Sequence, residues 1–286
     1  EFIHKNDELA DEMVFSIDNI HNPIISLNFL CTALPFSVKD KMELLEESNL
    51  MDRALNTLRL LNRELQFLQL RNQIRMKTRE ELDEQQREYF LQQQIKNIKE
   101  ELRTIMDERN KASIQMIAEY DGDITNLYGT TPEGVVPILA TRNMVMFPAV
   151  ISPILVGREQ SVNLLNYLDK HPGTLIAIFS QKNPDIEHPR EEDLYRYGCY
   201  AKLVRRIELP GSENCTAIFQ MMGRCHLDSI EKTRPYLCGA VSERSEIMPD
   251  VNDKAFNTAM IDLVAASKEF IHKNDELADE MVFSID

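Results

Sequence analysis

The two residue types that most restrict a backbone are segregated along this chain. All nine glycines lie at position 122 or later, and ten of the twelve prolines lie at 132 or later. From Phe36 to Thr131 there is no proline, and from Met51 to Leu102 there is neither glycine nor proline. Such a stretch permits long helices, whereas glycine and proline punctuate short strands and turns. The chain therefore splits into a helical region and a β-rich region, an α+β organisation.

Helix starts are marked in the first region. Asn22 before Pro23 reads as an N-cap followed by a first-turn proline, and Ser37 with Asp40, like Asn49 with Asp52, fits the capping pattern that satisfies orphan backbone N–H groups. Leu58, Leu61, Leu65 and Leu68 step by three and four, and so do Leu91, Ile95, Ile98 and Leu102, giving two apolar seams on what reads as one very long helix. Between them KTREELDEQQRE (77–88) has Leu82 as its one apolar residue. That part stands in water, either as an ordinary solvated face or as a rigid spacer projecting from a bundle.

In the second region VVPILA (135–140), MVMFP (144–148), ISPILVG (151–157), TLIAIFS (174–180), CYAKLVRRIEL (199–209) and CTAIFQMMG (215–223) read as strands, and LPGSEN (209–214) as a hairpin turn. One helix interrupts them, REQSVNLLNYLDKH (158–171), with Val162, Leu165 and Leu168 on one face. The expectation is a small β-barrel or sandwich with a covering helix. The domain bounds follow: 1–102 bundle and long helix, 103–134 linker, 135–248 β-rich domain, and 249–286 a helix leading into the bundle. That last helix carries Phe256, Met260, Leu263, Val264, Phe270 and Ile271 on one face.

The ends hold a second constraint. EFIHKNDELADEMVFSID occurs at 1–18 and again, unchanged, at 269–286. Natural repeat arrays recur every 20 to 50 residues or so and stack on one another, which two copies at opposite ends do not do. Each copy has the flanking context that the other lacks, so joining residue 268 to residue 1 restores one continuous reading. The pattern is that of a circularly permuted chain with an overlap, in which two copies compete for one place and one is displaced.

Charge and chemistry narrow the function. A formal charge of −15 disfavours nucleic acid and anionic membrane surfaces, and the longest apolar run, PAVISPILVG (148–157), is too short to span a bilayer. Five cysteines without CxxC spacing indicate neither a disulfide framework nor a zinc ribbon. Cys225 beside His226 reads as a buried thiol next to a surface imidazole rather than a metal site. No phosphate loop, GxGxxG, HExxH or GxSxG occurs, and the six histidines lack a spaced carboxylate and nucleophile. The expectation is a chain with no catalytic, metal or cofactor residues. What remains is apolar surface chemistry: Met144, Met146 and Phe147 beside Pro148 are either ordinary core or a docking surface for varied apolar partners.

VVPILATRNMVMFPAVISPILVGREQSV resembles the opening strands of the amino-terminal domain of Lon proteases, with Arg142, Asn143, Phe147, Pro148, Val156, Gly157, Arg158 and Glu159 in the places of that pattern. LCTALPFSVKDKMELLEESNLMDRALNTLRLL and QQREYFLQQQIKNIKEEL look like the helical bundle and the long helix that follow in that family. They stand here in reverse order, as the permutation reading requires. The resemblance implies a PUA-like β-barrel joined to an α-helical bundle with a long protruding helix.

It also implies a function: the substrate-recognition and assembly region of an ATP-dependent serine protease of the bacterial cytoplasm or mitochondrial matrix. Such a region binds unfolded or degron-bearing proteins. The parent would be a hexamer using ATP and Mg, with its ATPase and Ser-Lys modules lying outside this chain. The chain itself is expected to be non-catalytic and a monomer or dimer. The alternative is a stand-alone barrel protein whose helices act as a scaffold.

Overall fold

The computed structural model describes residues 13–81, 134–208, 215–250 and 253–274, with side chains described for all of these except 75–81 and 208. The expected second leucine seam (91–102), residues 82–88 of the polar stretch, nearly all of the linker and the 209–214 turn lie outside them.

Helix α1 is described over residues 13–19. Helix α2 (Pro23–Ala33) starts where Asn22 Oδ1 accepts the backbone N–H groups of Ile24 and Ile25 at 2.9 and 3.3 Å. Helix α3 (Val38–Glu46) is capped by Ser37, whose hydroxyl accepts the Asp40 N–H. Helix α4 (Leu50–Glu81) follows Asn49, whose Oδ1 accepts the Met51 N–H at 2.9 Å. These are the caps that the sequence marks, and each supplies a partner for backbone donors that a helix leaves unpaired.

The β-rich part has six strands: β1 (Val135–Thr141), β2 (Ile151–Val156), β3 (Leu175–Gln181), β4 (Leu194–Glu208), β5 (Cys215–Lys232) and β6 (Leu237–Glu243). Helix α5 (Glu159–Lys170) follows β2, and helix α6 (Lys254–Lys273), capped by the Asp253 carboxylate, follows β6. β1 pairs with β3 in parallel and with β6 in antiparallel; β3 pairs with β4, β4 with β5, and β5 with β6. The pairings therefore return on themselves, and β2 lies along the first part of β5. A sheet closed in this way has the connectivity of a small barrel, not of a sandwich.

Both faces of this sheet are apolar. Val136, Ile138, Ala140, Ala177, Phe179, Leu194, Tyr200, Cys225 and Leu227 fill one side. Alternate residues such as Leu139, Ile176, Ile178, Cys199 and Ala201 face the other, in a core shared with α5 and the helical bundle. That period-two alternation is what a pleated strand dictates.

Three strand expectations need correction. MVMFP is not a strand: Met144–Pro148 run between two left-handed residues, Asn143 at φ 51 and Ala149 at φ 62, which bend the chain from β1 into β2. β4 and β5 are longer than expected, because strands from Leu194 and through Lys232 alternate with charged outward residues that mask the pattern. β6 was hidden for a similar reason, being short and carrying Gly239.

Candidate functional site

Helix α4 is the element that leaves the core. Its inner face, Leu50, Ala54, Leu61, Leu65 and Leu68, is buried and packs with α6 residues Met260, Leu263, Phe270 and Ile271 in one cluster. On the opposite face stand Phe67, Leu70 and Ile74, exposed at 59, 53 and 56%. Positions i, i+3 and i+7 share one helix face, so the three make an apolar stripe turned away from the molecule's own core. Scattered single apolar residues are normal on a surface, whereas an aligned set suggests something to be covered. Nearer the root, Leu55, Leu58, Arg59, Asn62, Arg63 and Gln66 line a shallow depression.

The stripe is held in place at its root. Arg53, fully buried in the first turn of α4, meets the Glu246 carboxylate at 2.5 Å and donates to Asn28 Oδ1 at 2.9 Å and the Glu47 carbonyl at 2.6 Å. Arg224 of β5 approaches the same carboxylate at 3.5 Å and donates to the carbonyls of Leu45, Glu46 and Glu47 at the end of α3, and to that of Ser245. A cation at the carbonyl end of a helix meets the negative end of its dipole. Burial pushes the Arg224 pKa below its ordinary value, with the neighbouring Arg53 charge acting in the same direction. A parallel bridge between Asn49 and Ile247 adds backbone bonds on either side, Ile247 N to Ser48 O at 2.8 Å and Leu50 N to Ile247 O at 3.2 Å. Bundle and barrel are thus joined by one buried carboxylate between two arginines.

Arg63, one turn before Phe67, is fixed by Asp40 and Glu64 at 3.1 and 3.0 Å. Burial pushes the Asp40 carboxyl up, but the hydrogen bonds from Ser37 and Arg63 outweigh it and leave the pKa below the ordinary value. The Glu64 and Asp40 partners in turn raise that of Arg63.

Met144, Met146, Phe147 and Pro148 are brought together, but inside. Met144 is 6%, Met146 3% and Phe147 0% exposed. The Met144 carbonyl accepts the Thr141 hydroxyl at 3.0 Å and also that of Ser180, the Met146 carbonyl accepts the Cys199 thiol at 3.1 Å, and the Arg53 guanidinium lies 5.9 Å from the Phe147 ring. The expectation that this cluster offers a docking surface is corrected: in this conformation it seals the barrel against the bundle. The sequence reading missed Phe67, Leu70 and Ile74, although their signal was present as apolar residues in excess of the leucine seam. Nothing in the sequence pointed to Arg53, Arg224 and Glu246 as a set.

Cys225 is buried, and beside it His226 Nδ1 lies 2.9 Å from the Asp228 carboxylate. Among the described residues no group of His, Cys, Asp and Glu is placed to hold a metal ion, and no helix is long and apolar enough to cross a membrane.

A closed strand circuit, a helical bundle locked to it, and an apolar stripe on the helix that departs from both define a mixed α and β region with one outward apolar face. The chain belongs to the family of the ATP-dependent protease La (LON) substrate-binding domain, whose model matches residues 135–284. It is 44% identical over 149 residues to the Lon protease of Flavobacterium johnsoniae, covering 52% of this chain and 18% of that protein. It is 50% identical over 116 residues to the Lon protease of Porphyromonas gingivalis, covering 41% and 14%. The chain thus spans under a fifth of the length of these relatives. The N terminal domain of Mycobacterium avium complex Lon protease is similar over 43% of this chain and 61% of that one, with 17% identity and a TM-score of 0.34.

Proposed function

We propose that this chain is the substrate-recognition and assembly region of a Lon-type ATP-dependent serine protease that degrades misfolded and regulatory proteins, and that it binds unfolded polypeptide without catalysis. The observation that carries the reading is the Phe67, Leu70 and Ile74 stripe, which faces away from the core on a helix anchored at its root. An unfolded chain exposes apolar side chains that a native partner hides, and such a stripe discriminates between the two by area alone. Membership of a substrate-binding family supports a protein partner, and the similarity to bacterial Lon proteases supports a cytoplasmic setting. ATP and Mg would serve modules of the whole protease, and its oligomer would be completed by those modules.

The test is binding of a denatured, fluorescently labelled model protein, followed by anisotropy. The intact chain is expected to bind weakly and saturably, and replacing Phe67 and Leu70 together by Ser to weaken binding by tenfold or more, with thermal unfolding unchanged because both side chains are already exposed. Equal binding by the two proteins would reject the stripe as the site. No binding by the intact chain, together with self-association that the same substitutions abolish, would support the scaffold reading instead.

A further inference from the structure

We propose that the edge of β4 beyond Lys202 takes an acidic, extended polypeptide segment as an added strand. β4 runs from Leu194 to Glu208, but β3 accompanies it only as far as the pair of Leu175 with Lys202, because β3 begins at Leu175 after the turn that follows α5. On its other edge β4 stays paired with β5 as far as Glu208 with Cys215. Among the described residues, 203–208 are therefore paired on one side alone, and no other backbone hydrogen bond reaches them. That length of strand is about 20 Å, and alternate backbone N–H and C=O groups along it point away from β5. An edge of this kind is a template for a further strand.

The side chains along the edge decide which strand fits. Lys202 lies opposite Gln220 of β5, and Arg205 lies opposite Ile218, two residues further along β5 and so on the same face. Residues 202 and 205 of a regular strand would point to opposite faces; the register shift between Leu203 and Arg205, with Val204 as the extra residue, re-aims them to one. Both cations are exposed, and among the described residues neither meets a carboxylate. Arg206 faces the other way and is held by Asn166 and Asp169 of α5, both at 2.9 Å. Bulges and cations are also the means by which proteins keep an edge from pairing with its own copy, since two such edges would set like charges against each other. They admit a strand with carboxylates at alternate positions, each of which finds a cation opposite it. On a chain of formal charge −15, two cations aligned beside unpaired backbone are complementary to an acidic partner and not to a second copy of this chain. Val204, 47% exposed between them, offers apolar contact to the residues that separate those carboxylates. The site lies on the barrel and does not rest on the role given to Phe67, Leu70 and Ile74.

The test is anisotropy of a short fluorescein-labelled peptide of alternating glutamate and threonine, titrated with the full chain. Saturable binding is expected, and a peptide with lysine in place of glutamate is expected not to bind. N-methylation of the peptide's backbone nitrogens, which keeps every charge and removes the donors, is expected to weaken binding about tenfold or more, and so is the double change Lys202→Glu and Arg205→Glu. Both side chains are exposed, so the Tm of that variant should match that of the intact chain, and the two peptide controls need no variant at all. The protein with Phe67 and Leu70 replaced by Ser is expected to bind the acidic peptide as the intact chain does. No binding by the intact chain overturns the proposal. Equal binding of the N-methylated peptide refutes strand addition, and equal binding of the lysine peptide or by the charge-reversed protein refutes the choice of an acidic partner. Loss of binding in the Phe67 and Leu70 variant moves the site to α4 and overturns its assignment to β4.

Discussion

Cys31, Cys199, Cys215 and Cys225 are buried free thiols, and Cys238 is half-buried. Burial pushes the Cys31 pKa from 9.0 up to about 11, and raises those of Cys199 and Cys225 as well. In each case the unfolded chain gives up its proton first as pH rises. Their stabilising contribution is therefore complete below about pH 9 and is lost above it, by up to about 1.4 kcal/mol per pH unit for each thiol. Lys41 runs the other way: burial lowers its pKa from 10.5 to about 8 while its ammonium donates to the Thr32 carbonyl at 2.6 Å. Between those values the folded state sheds a proton that the unfolded state keeps, so this residue alone adds stability as pH rises. Three thiols outweigh one amine. The midpoint of urea unfolding is expected to hold or rise slightly from pH 8 to 9 and to fall steeply above, with a shallower fall in Cys199→Ala; an unchanged slope in that variant would contradict the account.

At the level of elements, legibility followed exposure. Helices α2, α3 and α4 could be read because their starts carry Asn22, Ser37 and Asn49, whose side chains do the capping locally. Strands β1 and β3 were legible as apolar runs, since sheets covered on both faces lack alternation in their sequence. β6 was not, because its place is set by β1 and β5, and its Gly239 reads as a turn. That glycine and Gly198 answer to contacts far along the chain: a Cβ at Gly198 would stand 2.2 Å from the Ile178 carbonyl oxygen and 2.6 Å from the Phe179 ring, and one at Gly239 2.2 Å from the Ser229 carbonyl oxygen. No local rule announces such a requirement. Gly198→Ala forces β3 and β4 apart and is expected to cost about 2 kcal/mol or more, read from urea denaturation. A loss under about 0.5 kcal/mol would show that the strands yield easily there. The exposed stripe of Phe67, Leu70 and Ile74 was half legible: its spacing is helical, but only the fold reveals which of α4's apolar faces is turned outward.

For the whole molecule, the boundary suggested by glycine and proline is a change of secondary structure and not a break in the core. One apolar cluster runs from Met13 through α4 and α6 to Phe219 of β5, and the Glu246 carboxylate sits between Arg53 of the bundle and Arg224 of the barrel. The two parts are therefore expected to unfold in a single transition. Glu246→Gln leaves two buried guanidinium groups facing each other and is expected to destabilise by about 3 kcal/mol. Because the lost partner bridges the parts, the calorimetric and van't Hoff enthalpies should diverge in this variant as bundle and barrel begin to melt separately. Retained agreement between the two enthalpies would mean that the apolar cluster alone couples them.

That anchorage has a mechanical side. Arg71 reaches the end of α6 through Asn274 at 3.4 Å, and beyond it α4 continues to Glu81, about 15 Å at the usual helical rise. The outer end of the helix is thus a cantilever whose stiffness comes from unbroken backbone bonds and whose bending moment falls on Leu61, Leu65, Leu68 and the Arg53 clamp. A polypeptide held at Phe67, Leu70 and Ile74, as proposed, would hang from the outer part of the helix, and a tug on it would be felt first at the Arg53, Glu246 and Arg224 contact between bundle and barrel.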